Sequence, residues 1–138
     1  MLFPKKVKHR KAQVKRSNPK KKTVATRGTA LAFGFAALKA SQEGRITSRQ
    51  IEAARRTLSR SLGKTGRVWI RIYPDQPYTK KPPEVKMGKG KGDLEGYYAQ
   101  VKPGQIIFEA DGASATEAEA SLQKAGKKLP IRTRVVIR

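Results

Sequence analysis

The first acidic residue of this chain is Glu43, and the forty-two residues before it carry twelve lysines and arginines. A segment so charged repels itself and buries too little apolar surface to fold alone, so it orders only against dense negative charge. A polyphosphate backbone supplies that charge, which makes nucleic acid the expected partner. The plainer alternative is a solubilising basic tail. The whole chain is similarly unbalanced: 138 residues hold 32 Lys and Arg against 10 Asp and Glu, a formal charge of +22. Hydrophobic residues make up 37%, below the roughly 45–50% of ordinary globular chains. Such a chain has room for one small domain with a modest core and long basic extensions.

Several chemistries drop out early. Without cysteine there is no disulfide, thiol nucleophile or cysteine-based zinc site. The single histidine, His9, lies in the basic stretch and is at most a lone ligand, so no metal and no cofactor is expected. Met1-Leu2-Phe3-Pro4 is followed at once by Lys5 and Lys6, which leaves no apolar core for a secretory signal. No window approaches the roughly 18 apolar residues of a membrane span, and the basic segment lacks the apolar face of a membrane-surface helix. A cytoplasmic protein with no membrane partner is the expectation.

The text divides into a basic arm over 1–28 and a single folded domain over 29–138. Leu31, Phe33 and Phe35 alternate with small residues, which predicts one strand or two short ones ending near Lys39. Gly44 breaks the pattern. Thr47 and Gln50 have capping-box spacing and open a helix over about 48–62, stopped by Gly63. At 100° per residue Ile51, Ala54, Leu58 and Leu62 fall in a stripe about 80° wide, with Arg49, Arg56 and Arg60 within about 40° opposite and Arg55 at its edge. Four arginines against Glu52 read as a phosphate-facing surface rather than a mixed-charge solvated one.

A strand follows over 67–73. Val68, Ile70 and Ile72 take its core face, while Arg67, Trp69, Arg71 and Tyr73 take the other, either to stack on bases or to pack beneath a second layer. Residues 74–96 read as a long Pro- and Gly-rich loop, of a length usually functional or disordered. Strands at 97–101 and 106–110 then form a hairpin about Lys102-Pro103-Gly104-Gln105. Ser114 and Glu117 cap a second helix running to about Lys128, Pro130 ends it, and 131–137 is a last strand. The fold class is α+β, a mostly antiparallel sheet with two helices, a long Gly/Lys loop and a basic N-terminal extension.

The loop contains Lys86-Met87-Gly88-Lys89-Gly90-Lys91-Gly92. Alternating Gly and Lys lets backbone approach a partner closely while a cation recurs at every second position. It is no P-loop, since Gly92 and Asp93 follow Lys91 where Ser or Thr is required, and no dinucleotide fingerprint, lacking the third glycine's spacing.

With that loop in place the chain resembles the bacterial-type large-subunit ribosomal protein L sixteen family over nearly its whole length. The likeness rests on Met1 through Lys6, Phe33-Gly34, Ile46 through Arg56, Trp69 through Asp75, Met87 through Gly92, and Lys128 through Ile131, in order and spacing. It implies a structural, non-enzymatic protein that binds large-subunit rRNA near the aminoacyl-tRNA site, beside the peptidyl-transferase centre, and joins late in assembly. It implies rRNA contact through Lys5, Lys6, Lys8, Arg10 and Lys11 of the arm and Arg49, Arg55, Arg56 and Arg60 of the helix, to which the strand reading adds Arg71. Lys86, Lys89 and Lys91, with Met87, Gly88, Gly90 and Gly92, would lie nearest to tRNA in the aminoacyl site and, beyond it, the peptidyl site. Neighbouring ribosomal proteins are implied partners, and a small-molecule substrate is not. Lys86 stands where the family usually has arginine, 14–23 is richer in Lys and Pro, and Gly96-Tyr97-Tyr98 replaces an aromatic pair that includes Trp. A free-standing RNA chaperone and an enzyme acting on RNA are the competing readings; the scattered acids argue against the second.

Overall fold

A computed structural model of the chain describes residues 2–14, 18, 20–21 and 23–138. Of the arm expected over 1–28, Met1, Lys15, Arg16, Ser17, Pro19 and Lys22 lie outside the described residues. Among the described residues the order is β1 (Ala36–Ala40), β2 (Gly44–Thr47), α1 (Ser48–Leu62), β3 (Arg67–Ile70), β4 (Gln76–Lys80), β5 (Asp93–Val101), β6 (Ile106–Asp111), α2 (Ala115–Gly126) and β7 (Thr133–Ile137). The strands form two antiparallel sheets, one ordered β3-β6-β1-β7 and one ordered β2-β5-β4. This is an α+β fold. Both helices pack on each other and on the four-stranded sheet, and α1 also reaches β2 and β5.

Each helix begins where its side chains satisfy backbone donors that the helix itself leaves free. Thr47 N donates to Gln50 Oε1 at 2.9 Å while Gln50 N donates to Thr47 Oγ1 at 3.4 Å. Ser114 and Glu117 make the same reciprocal pair at α2. The expected stripe of α1 is the buried one: Ile51, Ala54, Leu58 and Leu62 enter a core with Leu38, Phe108, Leu122 and Ile131. Gly126, a poor helix former, has a packing reason. A Cβ there would stand 2.5 Å from Thr133 Oγ1 and 3.5 Å from Leu38, so its absence lets α2 lie close on β7 and β1.

Several expectations are corrected. The strands before and after Lys102–Gln105 are not a hairpin: β5 pairs with β2 and β4, whereas β6 pairs with β1 and β3. The tight turn is there, with Gln105 N on Lys102 O at 3.2 Å and Gly104 at φ +92, but it carries the chain from one sheet to the other. The segment expected as a loop over 74–96 includes the stem of a hairpin, with β4 and the first half of β5 paired, and the loop itself is confined to 81–92 between them. Pro77 masked β4; the strand tolerates it because β4 is a sheet edge. The four residues of β2, led by Gly44, were hidden likewise. The third strand ends at Ile70 rather than Tyr73. The alternation Leu31, Phe33, Phe35 is no strand, because the N–H groups of Ala32, Phe33 and Gly34 are taken by the carboxylate of Glu109.

Candidate nucleic-acid interface

The helix α1 turns Arg49, Arg56 and Arg60 to solvent, opposite its buried stripe. Arg55, at the stripe edge, is half-buried and grips Glu52 in a two-pronged pair, Nε to Oε2 at 2.9 Å and Nη2 to Oε1 at 2.6 Å. Arg56 Nε adds a third bond to Glu52 at 3.2 Å. The hydrogen bonds from Arg55 above all hold the Glu52 carboxyl at about 2; burial, the next largest effect, opposes them, and the charge of Arg55 and the hydrogen bond and charge of Arg56 add to the lowering. Glu52 is thus ionised across the neutral range and fixes the fork of Arg55. One carboxylate among four guanidinium groups still leaves the face strongly positive. No acid occupies the first turn of α1, so the positive end of the helix dipole adds to it.

The arm meets this face at its beginning. Phe3 stands edge-on to Tyr97 with centroids 4.9 Å apart, and Leu2 packs against the core. Both share a recess with Thr47, Ser48 and Arg49 at the start of α1. Farther on, Lys11 Nζ lies 3.6 Å from Asp93, where the β4–β5 stem meets the loop. The Nζ of Lys91, near its tip, donates to Ala12 O. The arm returns to the domain where Ala25 N donates to Pro103 O at 2.9 Å and Ile106 N to Gly28 O at 2.8 Å. Lys5, Lys6, Lys8 and Arg10 are exposed along this path, and Lys11 is half-buried.

The tip is all surface. Lys86, Met87, Gly88, Lys89, Gly90 and Lys91 are exposed, Met87 to 91%, and Gly92 is half-buried. Gly88, Lys89 and Gly90 have φ of +99, +55 and +100, a left-handed run in which the two glycines are unstrained. Lys81 Nζ donates to Gly88 O and braces the tip from its stem. The arm is thus tied to the start of α1 through Phe3 and to the loop tip through Lys91.

Arg71 departs from that surface. Its guanidinium is paired with the fully buried carboxylate of Glu109 and reaches Ala30 O at 3.4 Å. Burial raises the Glu109 pKa, but the N–H groups of Gly34, Phe33 and Ala32, together with Arg71, outweigh it and leave it below the usual value. Trp69 is likewise covered by Phe33, so the strand face packs beneath a second layer. The sequence reading passed over Glu109. The available signal was an acid inside the apolar run Ile106-Ile107-Phe108, since a buried carboxylate must find partners. It also missed Arg45, exposed on β2 with its guanidinium 4.8 Å from the Tyr98 ring.

Among the described residues no three His, Cys, Asp or Glu stand close enough to hold a metal ion, and no helix is long and apolar enough to cross a membrane. A family model described as Ribosomal protein L16p/L10e matches residues 4–136. The large ribosomal subunit protein uL16 of Rhodopseudomonas palustris strain BisB18 is 54% identical over 138 residues, covering 100% of this chain and 98% of the relative. The protein of the same description from strain HaA2 is 52% identical with the same coverage.

Proposed function

The chain belongs to the ribosomal protein L16p/L10e family, whose matched relatives are large-subunit ribosomal proteins rather than enzymes, and from that premise we propose that it binds large-subunit rRNA and helps shape the aminoacyl-tRNA site beside the peptidyl-transferase centre. The supporting observation is the connected cationic surface. Arg49, Arg56 and Arg60 stand at one end, the arm runs from Phe3 past Lys11, and the tip with Lys86, Lys89 and Lys91 stands at the other. Arginine forks on α1 suit bidentate phosphate contact, while the arm's lysines act as point charges. These contacts position the protein; they carry no sequence information themselves. The braced tip then projects backbone and cations toward tRNA in the aminoacyl site and, farther along, the peptidyl site. Ribosome-bound in the cytoplasm of a bacterium, it would have neighbouring large-subunit proteins as its other partners. Arg71 is left out of this surface because Glu109 holds it.

The test is binding to an rRNA fragment from the aminoacyl-site region and to a random RNA of equal length, over a salt series. Neutralising six to ten phosphates predicts a loss of roughly 10³–10⁵ in affinity between about 50 and 200 mM salt. A preference for the rRNA fragment that survives the upper end supports the reading. Equal affinities collapsing together would make the chain a charge-driven RNA chaperone instead.

A further inference from the structure

The segment before β1 is held by more chemistry than a connection needs. Glu109 is fully buried on an interior strand of its sheet, where a carboxylate is unfavourable unless every partner is supplied. Its partners are Phe33 N at 2.7 Å, Gly34 N at 2.8 Å, Ala32 N at 3.2 Å and the guanidinium of Arg71. What these bonds fix in place is not more core. It is the ring of Phe33, which remains 59% exposed.

Beneath that ring lies a second one. Trp69 is stacked at 6.0 Å between centroids and 18° between planes, and the Arg71 guanidinium carbon is 5.3 Å from the Phe33 centroid. Trp69 and Arg71 rise from one side of an extended segment, since Arg71 N continues the β3 ladder onto Ile107 O at 2.9 Å. Both therefore lie against Phe33, a residue that nevertheless stays 59% exposed. Arg67 is exposed on the same side of β3, two residues before Trp69.

We propose that Phe33, backed by Trp69 and positioned through Glu109, is a stacking platform for an unpaired nucleobase of RNA. The proposal rests on the RNA-binding reading above and adds to it a contact that charge cannot make. An aromatic face accepts any base, because every base has a π-face, so the platform selects unpaired RNA over paired RNA rather than one sequence. Arg67, exposed beside the platform, and the chain's formal charge of +22 suit a phosphate-bearing ligand better than the apolar surface of a protein. Glu109 and Arg71 act through Phe33, as positioning residues.

Trp69 is the one tryptophan of the sequence, so its emission reports the platform directly. The full chain is titrated with a single-stranded oligoadenylate RNA of about a dozen nucleotides, and with an abasic chain of the same length and phosphate count. At about 0.3 M salt, where phosphate contacts are weakened, the oligoadenylate binds about tenfold more tightly, a margin of about 1.4 kcal/mol, and shifts Trp69 emission. Phe33→Leu, at an exposed position, removes the margin and leaves the abasic chain's affinity as it was. Equal binding of the two chains by the unsubstituted protein, with Trp69 unmoved, overturns the platform and makes a protein surface the fit for Phe33. A margin that survives Phe33→Leu also overturns it, by placing the stacking elsewhere. Failure of both chains to bind at about 0.05 M salt overturns the RNA-binding reading and the platform with it.

Discussion

Replacing Glu109 by alanine isolates the consequences of a buried charge that organises a surface. The carboxylate has no exposed surface, and the Arg71 side chain is 19% exposed, so the substitution strands a guanidinium with little water to solvate it. Breaking a buried pair from one side costs about 3–5 kcal/mol. The three N–H groups of Ala32, Phe33 and Gly34 lose their acceptor as well. They add less than the sum of three lost bonds, because the segment can swing out to water once released. We expect a total of about 3–5 kcal/mol, which at a urea slope of about 1–3 kcal/mol/M lowers the unfolding midpoint by at least about 1 M. Trp69 fluorescence and far-ultraviolet circular dichroism should follow the same transition. The companion Glu109→Ala/Arg71→Met should be less damaging than the two single losses added, because removing both partners leaves no orphan charge. The pH dependence has a fixed sign. A carboxyl held below its ordinary value of 4.5 in the fold contributes its full stability above that value and loses it as pH falls through the folded value. The gap between wild type and Glu109→Ala is therefore flat from about pH 6 to 8 and closes in acid. A loss under about 1 kcal/mol, or a gap that widens on acidification, would show that Glu109 does not carry the segment.

Gly126→Ala should destabilise by about 1–3 kcal/mol in the same urea assay, although alanine is the better helix former by about 1 kcal/mol, because the new Cβ would meet Thr133 Oγ1; a gain in stability would mean α2 sits farther from β7. Leu58→Ala, at a position with no exposure, should cost about 2–5 kcal/mol, and a loss near zero would mean that α1 docks on another face. Arg56→Glu should weaken RNA binding and flatten its salt dependence while leaving the circular dichroism spectrum unchanged, since Arg56 is exposed opposite the core; unfolding with binding intact would refute that assignment.

What could be read from sequence was what is local. Both capping boxes, the buried stripe of α1 and its arginine face follow from spacing along one helix, and each stands where spacing put it. The resemblance then supplied the family, which composition and periodicity alone would have left at RNA-binding. What escaped was set by partners distant in sequence. β2 and β4 are short edges that owe their existence to β5, so Gly44 and Pro77 looked like breaks. The turn at Lys102–Gln105 reads as a hairpin unless one knows that its flanking strands belong to different sheets. Arg71 looked free because Glu109 lies 38 residues away, and nothing local to Phe33 says that its backbone is spoken for.

The anchorages at the arm's two ends change what kind of object it is. Held to Tyr97 through Phe3 and to Pro103 through Ala25, it is a strap rather than a tail. Closing a loop of roughly 22 residues carries an entropy of about 3 kcal/mol by the logarithmic rule, and in this fold that loss falls on folding, before any ligand arrives. A partner reaching Lys8, Arg10 and Lys11 meets cations already held near the tip by the Lys11–Asp93 and Lys91–Ala12 contacts. Their effective local concentration is therefore set by the strap's length, so lengthening the strap should loosen the grip even if no contact residue changes.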